Sequence, residues 1–168
     1  MPSLLLIAFL SFATIATAAW PSGKRSAWHG YERIDFALPG DGARCILVKP
    51  KTPAKGNPWI WRARFWGHQP ALDLQLLGKG FHLTYCEIGG LFGAPRAVER
   101  WNKFHALAVQ QGLSSRPVLE GMSRGGLIIV NWASANPDKV TAIYGDNPVC
   151  NFNSWPGGKN GKFSKKDW

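Results

Sequence analysis

Residues Val118 to Val130 read Val-Leu-Glu-Gly-Met-Ser-Arg-Gly-Gly-Leu-Ile-Ile-Val. A short apolar run enters Gly121-x-Ser123-x-Gly125, and a helix-length apolar segment leaves it. A serine flanked in this way sits on a tight strand-to-helix turn, a nucleophile elbow. The turn holds the serine in a strained backbone conformation. Side chains at Gly121 and Gly125 are expected to collide with neighbouring backbone. The hydroxyl then stands clear of the sheet, at the positive end of the following helix. The chemistry such a group performs is attack on an ester or amide carbonyl. With 19 Gly in 168 residues, about 0.1 accidental matches are expected, so the strand before and the helix after carry the specificity.

The elements that must position this serine follow from the pattern of the chain. Tyr31 to Phe36 alternates apolar and charged residues from Glu32 onward and predicts a half-buried strand. Pro39-Gly40-Asp41-Gly42 is a turn signal, and Ala43 to Val48 is a second strand. The two form an antiparallel hairpin. Trp20 to His29 reads as a polar lead. Pro58 to Trp66 predicts a strand running into Gly67-His68. Ala71 to Gly78 predicts a short helix, and Phe81 to Ile88 the next strand. After the loop Gly89 to Gly93, Pro95 opens a helix in which Ala97, Trp101, Phe104 and Ala108 recur at helical spacing. Gly112 closes it. Pro117 to Glu120 is the strand before the elbow, and the helix after it stops before Asn136-Pro137. Val140 to Tyr144 is one more strand, and 151–168 reads as loop. Strand–helix alternation after a hairpin predicts an α/β fold, a three-layer sandwich with a mostly parallel sheet.

Composition sets the outer bounds. Apolar content is 45% and charged content 18%, which describes a folding chain with one real core. The net charge is +10. Basic residues are scattered, apart from Lys159, Lys162, Lys165 and Lys166, and no nucleic-acid motif accompanies them, so no nucleic-acid partner is expected. Leu4 to Leu10 is an apolar run, followed by small residues up to Ala18-Ala19. Residues 1–19 therefore read as a signal peptide cleaved after Ala18 or Ala19, leaving a secreted or periplasmic domain over 20–168 with no membrane anchor. The run lacks a preceding Lys or Arg. Cys45, Cys86 and Cys150 show no metal-ligand spacing. An exported chain allows one disulfide among them, and three buried thiols are the alternative. No metal and no cofactor are expected.

In the order of these elements the chain resembles the α/β-hydrolase superfamily, over roughly residues 31–150. Glu-Gly-Met-Ser-Arg-Gly-Gly and Ala-Asn-Pro-Asp-Lys are the local matches to secreted bacterial esterases and prolyl-oligopeptidase-like hydrolases. The resemblance implies Ser123 as nucleophile and the Arg124 backbone N–H as one oxyanion donor. It places the second donor near Gly67 and His68, with His68 as a cleft-lining alternative. It also implies an acid and a histidine that follow the nucleophile. No histidine follows Ser123; the four are His29, His68, His82 and His105. Three readings stay open. The sequence is an N-terminal part whose C-terminal strands are missing, and is inactive alone. An upstream histidine acts with Asp146, which otherwise serves only as a turn residue before Asn147-Pro148. Or the chain is a non-catalytic module that binds carbohydrate or an anionic polymer, through the tryptophans of 59–66. The expected substrates of the enzyme reading are a small-molecule ester, a glycan ester or a peptide.

Overall fold

A computed structural model describes residues 19–151, 153 and 155–158. The expected signal peptide, apart from Ala19, and the Lys-rich end lie outside the described residues. Among the described residues, seven strands and three α-helices follow one another, with a single 3-10 turn at Pro137–Lys139. They are β1 Lys24–Trp28, β2 Tyr31–Ala37, β3 Arg44–Lys49, β4 Trp59–Arg62, α1 Ala71–Gly78, β5 His82–Cys86, α2 Pro95–Gln110, β6 Val118–Met122, α3 Gly125–Ala135 and β7 Ala142–Asp146. The strands form one sheet in the order β1-β2-β3-β5-β4-β6-β7. The β1–β2, β2–β3 and β3–β5 pairs are antiparallel; the other three are parallel. The sheet is therefore mixed, with only β1 and β3 running against the rest.

β1 was invisible as a pattern because four of its five residues are exposed. Its hairpin closes through His29 and Gly30, at φ 48° and 80°. Two left-handed residues are what a two-residue turn needs to match strand twist. β4 ends at Arg62 instead of running on to Trp66. Phe65 adopts φ 52°, which no strand accommodates, and the chain turns there.

Two helices cover one face of the sheet and α1 covers the other. On the α2–α3 face, Trp101, Phe104, Ile128 and Trp132 pack on Leu47, Trp59, Trp61 and Leu119. The Trp61 and Trp101 rings stack with centroids 3.9 Å apart. Burial of each tryptophan contributes about 4–6 kcal/mol of gross transfer free energy, so this cluster is the main core. On the other face, Leu77 of α1 packs on Ile46, Ile60 and Leu83. Parity in β4 sends Trp59 and Trp61 to the first face, and Ile60 and Arg62 to the second. Both tryptophans are fully buried, so they form no carbohydrate platform. Trp66, beyond the strand, packs on the α1 face instead.

Candidate active site

β6 is an interior strand between β4 and β7, so its C-terminal end opens onto the loops that follow both neighbours. Ser123 comes immediately after it, at φ 49°. For a residue with a side chain this left-handed conformation costs about 1–2 kcal/mol. Surrounding hydrogen bonds enforce it. The Ser123 N–H donates to the Asp146 carbonyl at 3.0 Å, and the Ser123 carbonyl accepts from Gly126 N–H at 2.9 Å and Val149 N–H at 2.8 Å. The turn is thus clamped by α3 in front and by the β7 exit behind. The Ser123 side chain is exposed, and its hydroxyl has no hydrogen-bond partner among the described residues.

The glycines divide their duties differently from the expectation. A Cβ at Gly121 would overlap the Ile129 side chain and come 3.0 Å from the Gly125 carbonyl oxygen. At Gly125 the nearest atoms are side-chain carbons of Ala63 and Arg64 at 3.4 Å, so the expected backbone collision there is absent. Gly126 is the crowded position, with Val149 O at 2.5 Å and Pro148 Cβ at 2.7 Å. The second glycine of Gly-Gly is what lets the chain after β7 close on the elbow.

Ser123 opens into a cleft of about 520 Å³ lined by Phe65, Trp66, His68 and Met122. Phe65, Trp66 and Met122 carried no signal as cleft residues in the sequence. Register explains why the loop after β4 is here. Arg62 pairs with Glu120 across the parallel ladder, and Ala63 N–H continues it to the Glu120 carbonyl at 2.9 Å. Of the two loop residues assigned to an oxyanion site, both are exposed, and His68 lines this cleft whereas Gly67 does not. The His68 N–H donates to the Phe65 carbonyl at 3.0 Å and is thereby engaged within the loop. Gly67 turns at φ 77°.

The loop is organised from beneath by a buried arginine. Arg62 Nε lies 3.3 Å from the carbonyls of both Arg64 and Phe65, and its Nη2 donates to the His68 carbonyl. Its Nη1 donates to Asp73 of α1 and, at 3.0 Å, to Glu120 Oε1. All three side chains are buried: Arg62 is 1% exposed, Asp73 0% and Glu120 3%. One cation faces two carboxyls. Burial, the Asp73 charge and a hydrogen bond to Asp73 push Glu120 up to about 8, against the opposing pull of Arg62. Asp73 Oδ1 and Glu120 Oε2 have no other partner among the described residues. A proton held on Glu120 and shared with Asp73 satisfies both and brings the cluster to neutrality.

Arg64 and Arg124 line a small hollow with Ile88, Gly90 and Phe92. Arg64 pairs with Glu87 at 2.9 Å. The Arg124 guanidinium lies over the Phe65 ring at 5.5 Å and the Trp155 ring at 5.7 Å. Burial acts to raise Glu87, but hydrogen bonds from Tyr85 and the Gly89 N–H, together with Arg64, lower it.

The remaining candidates lie elsewhere. Asp146 lends Ser123 its carbonyl; its carboxylate meets Asn147 Nδ2 at 3.3 Å and does not line the cleft. His29 is in the β1–β2 turn. His105 packs beside Trp59 and Trp132, with Nε2 2.9 Å from the Ser115 carbonyl. His82 starts β5 and is buried. Of the four histidines, only His68 shares the cleft with Ser123. Among the described residues no group of three acidic, His or Cys side chains is placed to hold a metal ion.

No family model and no curated protein matches this sequence. Solved structures do match its shape. An S-formylglutathione hydrolase from Agrobacterium tumefaciens superposes with a TM-score of 0.58 at 14% identity, over 78% of this chain and 63% of that one. This chain has the α/β-hydrolase fold. A cold-adapted esterase from an Arctic intertidal metagenomic library gives 0.57 at 10% identity, over 76% and 65%. A prolyl endopeptidase gives 0.56 at 15% identity, over 82% of this chain and 25% of that one. The chain spans just under two thirds of the length of the first two.

Proposed function

We propose that this chain carries the nucleophile of a secreted serine hydrolase, which cleaves an ester or peptide bond through an acyl-enzyme at Ser123. The observation that carries the reading is Ser123 itself: a left-handed, clamped serine with its hydroxyl exposed at a strand-to-helix turn, beside a cleft. The hydroxyl would attack a carbonyl seated against the positive end of α3. The developing oxyanion would accept from the Arg124 backbone N–H and from the loop amide of Gly67. Phe65, Trp66 and Met122 suit an apolar or aromatic group of the substrate. The fold neighbours, by name an S-formylglutathione hydrolase, an esterase and a prolyl endopeptidase, support this class of chemistry.

A serine hydroxyl needs a base. His68 sits on the exposed loop, and its backbone is already tied to Phe65 and Arg62. The proposal assigns the base and its acid to chain outside these 168 residues, so that this chain alone does not turn over. The test is labelling of the full-length protein with a fluorophosphonate probe. Labelling that disappears in Ser123→Ala supports the reading; absence of labelling, or labelling that survives the substitution, removes it.

A further inference from the structure

We propose that Cys45 and Cys86 form a disulfide that ties β3 to β5 in the exported protein. Both are free thiols in the structure. They are direct partners in the antiparallel β3–β5 ladder, so their side chains lie on the same face of the sheet. The type of pair is set by a neighbouring bond. The Glu87 N–H donates to the Arg44 carbonyl at 2.9 Å, one residue beyond Cys86 and one before Cys45. That pattern makes Cys45 and Cys86 a non-hydrogen-bonded pair, in which opposed Cα atoms come within about 4.5 Å and the side chains approach closest. The spacing falls inside the roughly 4.4–6.8 Å window of disulfides. The thiols are within hydrogen-bonding reach of each other. Cys150 has a different setting. It is exposed, and its Sγ lies 3.7 Å from the Pro148 carbonyl.

This inference rests on the export reading, because only an oxidising compartment sustains such a bond. The oxidant is a disulfide, either oxidised glutathione or a thiol–disulfide oxidoreductase. One cysteine thiolate attacks the oxidant's disulfide and releases a thiolate. The second cysteine, deprotonated, then attacks the mixed disulfide and releases the other. Two thiols lose two electrons and two protons, and the oxidant's disulfide becomes two thiols. The reaction belongs to folding and not to the finished protein. Both sulfurs are fully buried under α2, and the hydrogen bond to Cys45, with burial, holds the Cys86 thiol well above its usual range. Once the helix has packed, neither exchange partner reaches them.

The test is peptide mapping of the full-length protein, exported to a periplasm, purified without reductant and alkylated under denaturing conditions. A Cys45–Cys86 linked peptide is expected, with Cys150 alkylated. The linkage closes a loop of about 40 residues, and reduction is expected to lower Tm by roughly 5–15 °C. Resistance of the native bond to millimolar dithiothreitol is the second signature. Three alkylated cysteines, or a link through Cys150, overturn the proposal. N-terminal sequencing of the same sample separates this from failure of export. Should Met1 be retained, refolding in a glutathione redox buffer decides: Cys45 and Cys86 must still link there, and free thiols overturn the proposal.

Discussion

Arg62 and Glu120 face each other across the β4–β6 ladder, with Arg62 Nη1 3.0 Å from Glu120 Oε1. The pair lies three residues before the nucleophile on one strand and directly before the cleft loop on the other. Arg62 therefore joins the two halves of the candidate site, holding β6 through a carboxyl and the 64–68 loop through three carbonyls.

Arg62→Met is accordingly expected to destabilise the protein by about 3–5 kcal/mol, because Asp73 and Glu120 are left buried without their cation. Labelling of Ser123 should fall with it as the loop comes loose. Urea unfolding measures the first effect. A loss under about 1 kcal/mol would show that the arginine and the two carboxyls are not buried together.

Glu120 gives the fold a pH dependence of defined sign. Its carboxyl is pushed from 4.5 up to about 8, so between those values the folded state keeps a proton that the unfolded chain releases. Stability from this group is full below pH 4.5, declines through the window, and is lost above about 8. The total is on the order of a few kcal/mol. His82 and His105, both lowered by burial, act oppositely as pH falls below 6.5. The diagnostic is therefore the difference between the native protein and Glu120→Gln in urea midpoints from pH 5 to 8. A native curve that falls relative to the variant is expected; parallel curves would dispose of the shared proton.

Much of this was legible in the sequence. Turn residues mark the β2–β3 hairpin, helical spacing marks α2, and the glycine pattern marks the elbow, because each is a local requirement of backbone or periodicity. The three-layer stacking follows from their order. What escaped notice is non-local. Asp73 and Glu120 lie 11 and 58 residues after Arg62, and nothing in the sequence pairs them with it. Asp73 looks like a surface residue of a leucine-rich helix, yet it is fully buried. The turn at Phe65 uses a positive φ on a residue that does not advertise it. β1 escaped because an exposed edge strand has no face to alternate. The base remains unread for a different reason: only one histidine reaches the cleft.

Strain at Ser123 predicts an ordering of two inactive variants. Glycine tolerates φ near 49° without the Cβ penalty that alanine retains. Ser123→Gly should be about 1 kcal/mol more stable than Ser123→Ala, against the usual advantage of alanine. Both should fail to label. Equal stabilities, or alanine ahead, would mean that the turn relaxes and stores no strain.

The sheet ends at β7 among the described residues, and that strand pairs only with β6. Ile143 and Tyr144 are 50% and 45% exposed. An uncovered edge with apolar side chains templates association. This sequence expressed by itself is expected to oligomerise or precipitate, and Ile143→Lys is expected to reduce that. Size-exclusion chromatography with light scattering reads both. A monomeric native chain with a sharp melting transition would contradict the expectation.

The paired glycines after the nucleophile allow a finer test of the elbow. Gly125 has room for a methyl group against the Ala63 and Arg64 side chains at 3.4 Å, and alanine suits the first turn of α3 by about 1 kcal/mol. Gly125→Ala should be near neutral in stability. At Gly126 the same methyl meets Val149 O at 2.5 Å and Val149 N at 2.8 Å. Backbone cannot swing aside as a side chain does, so the segment after β7 must move. That segment donates the Val149 N–H to the Ser123 carbonyl at 2.8 Å, which helps to hold the left-handed turn. Gly126→Ala should therefore cost about 2–3 kcal/mol and slow fluorophosphonate labelling at Ser123, even in protein that remains folded. If Gly125→Ala were the more damaging of the two, the crowding would lie in front of the elbow, and the clamp from β7 would carry no weight.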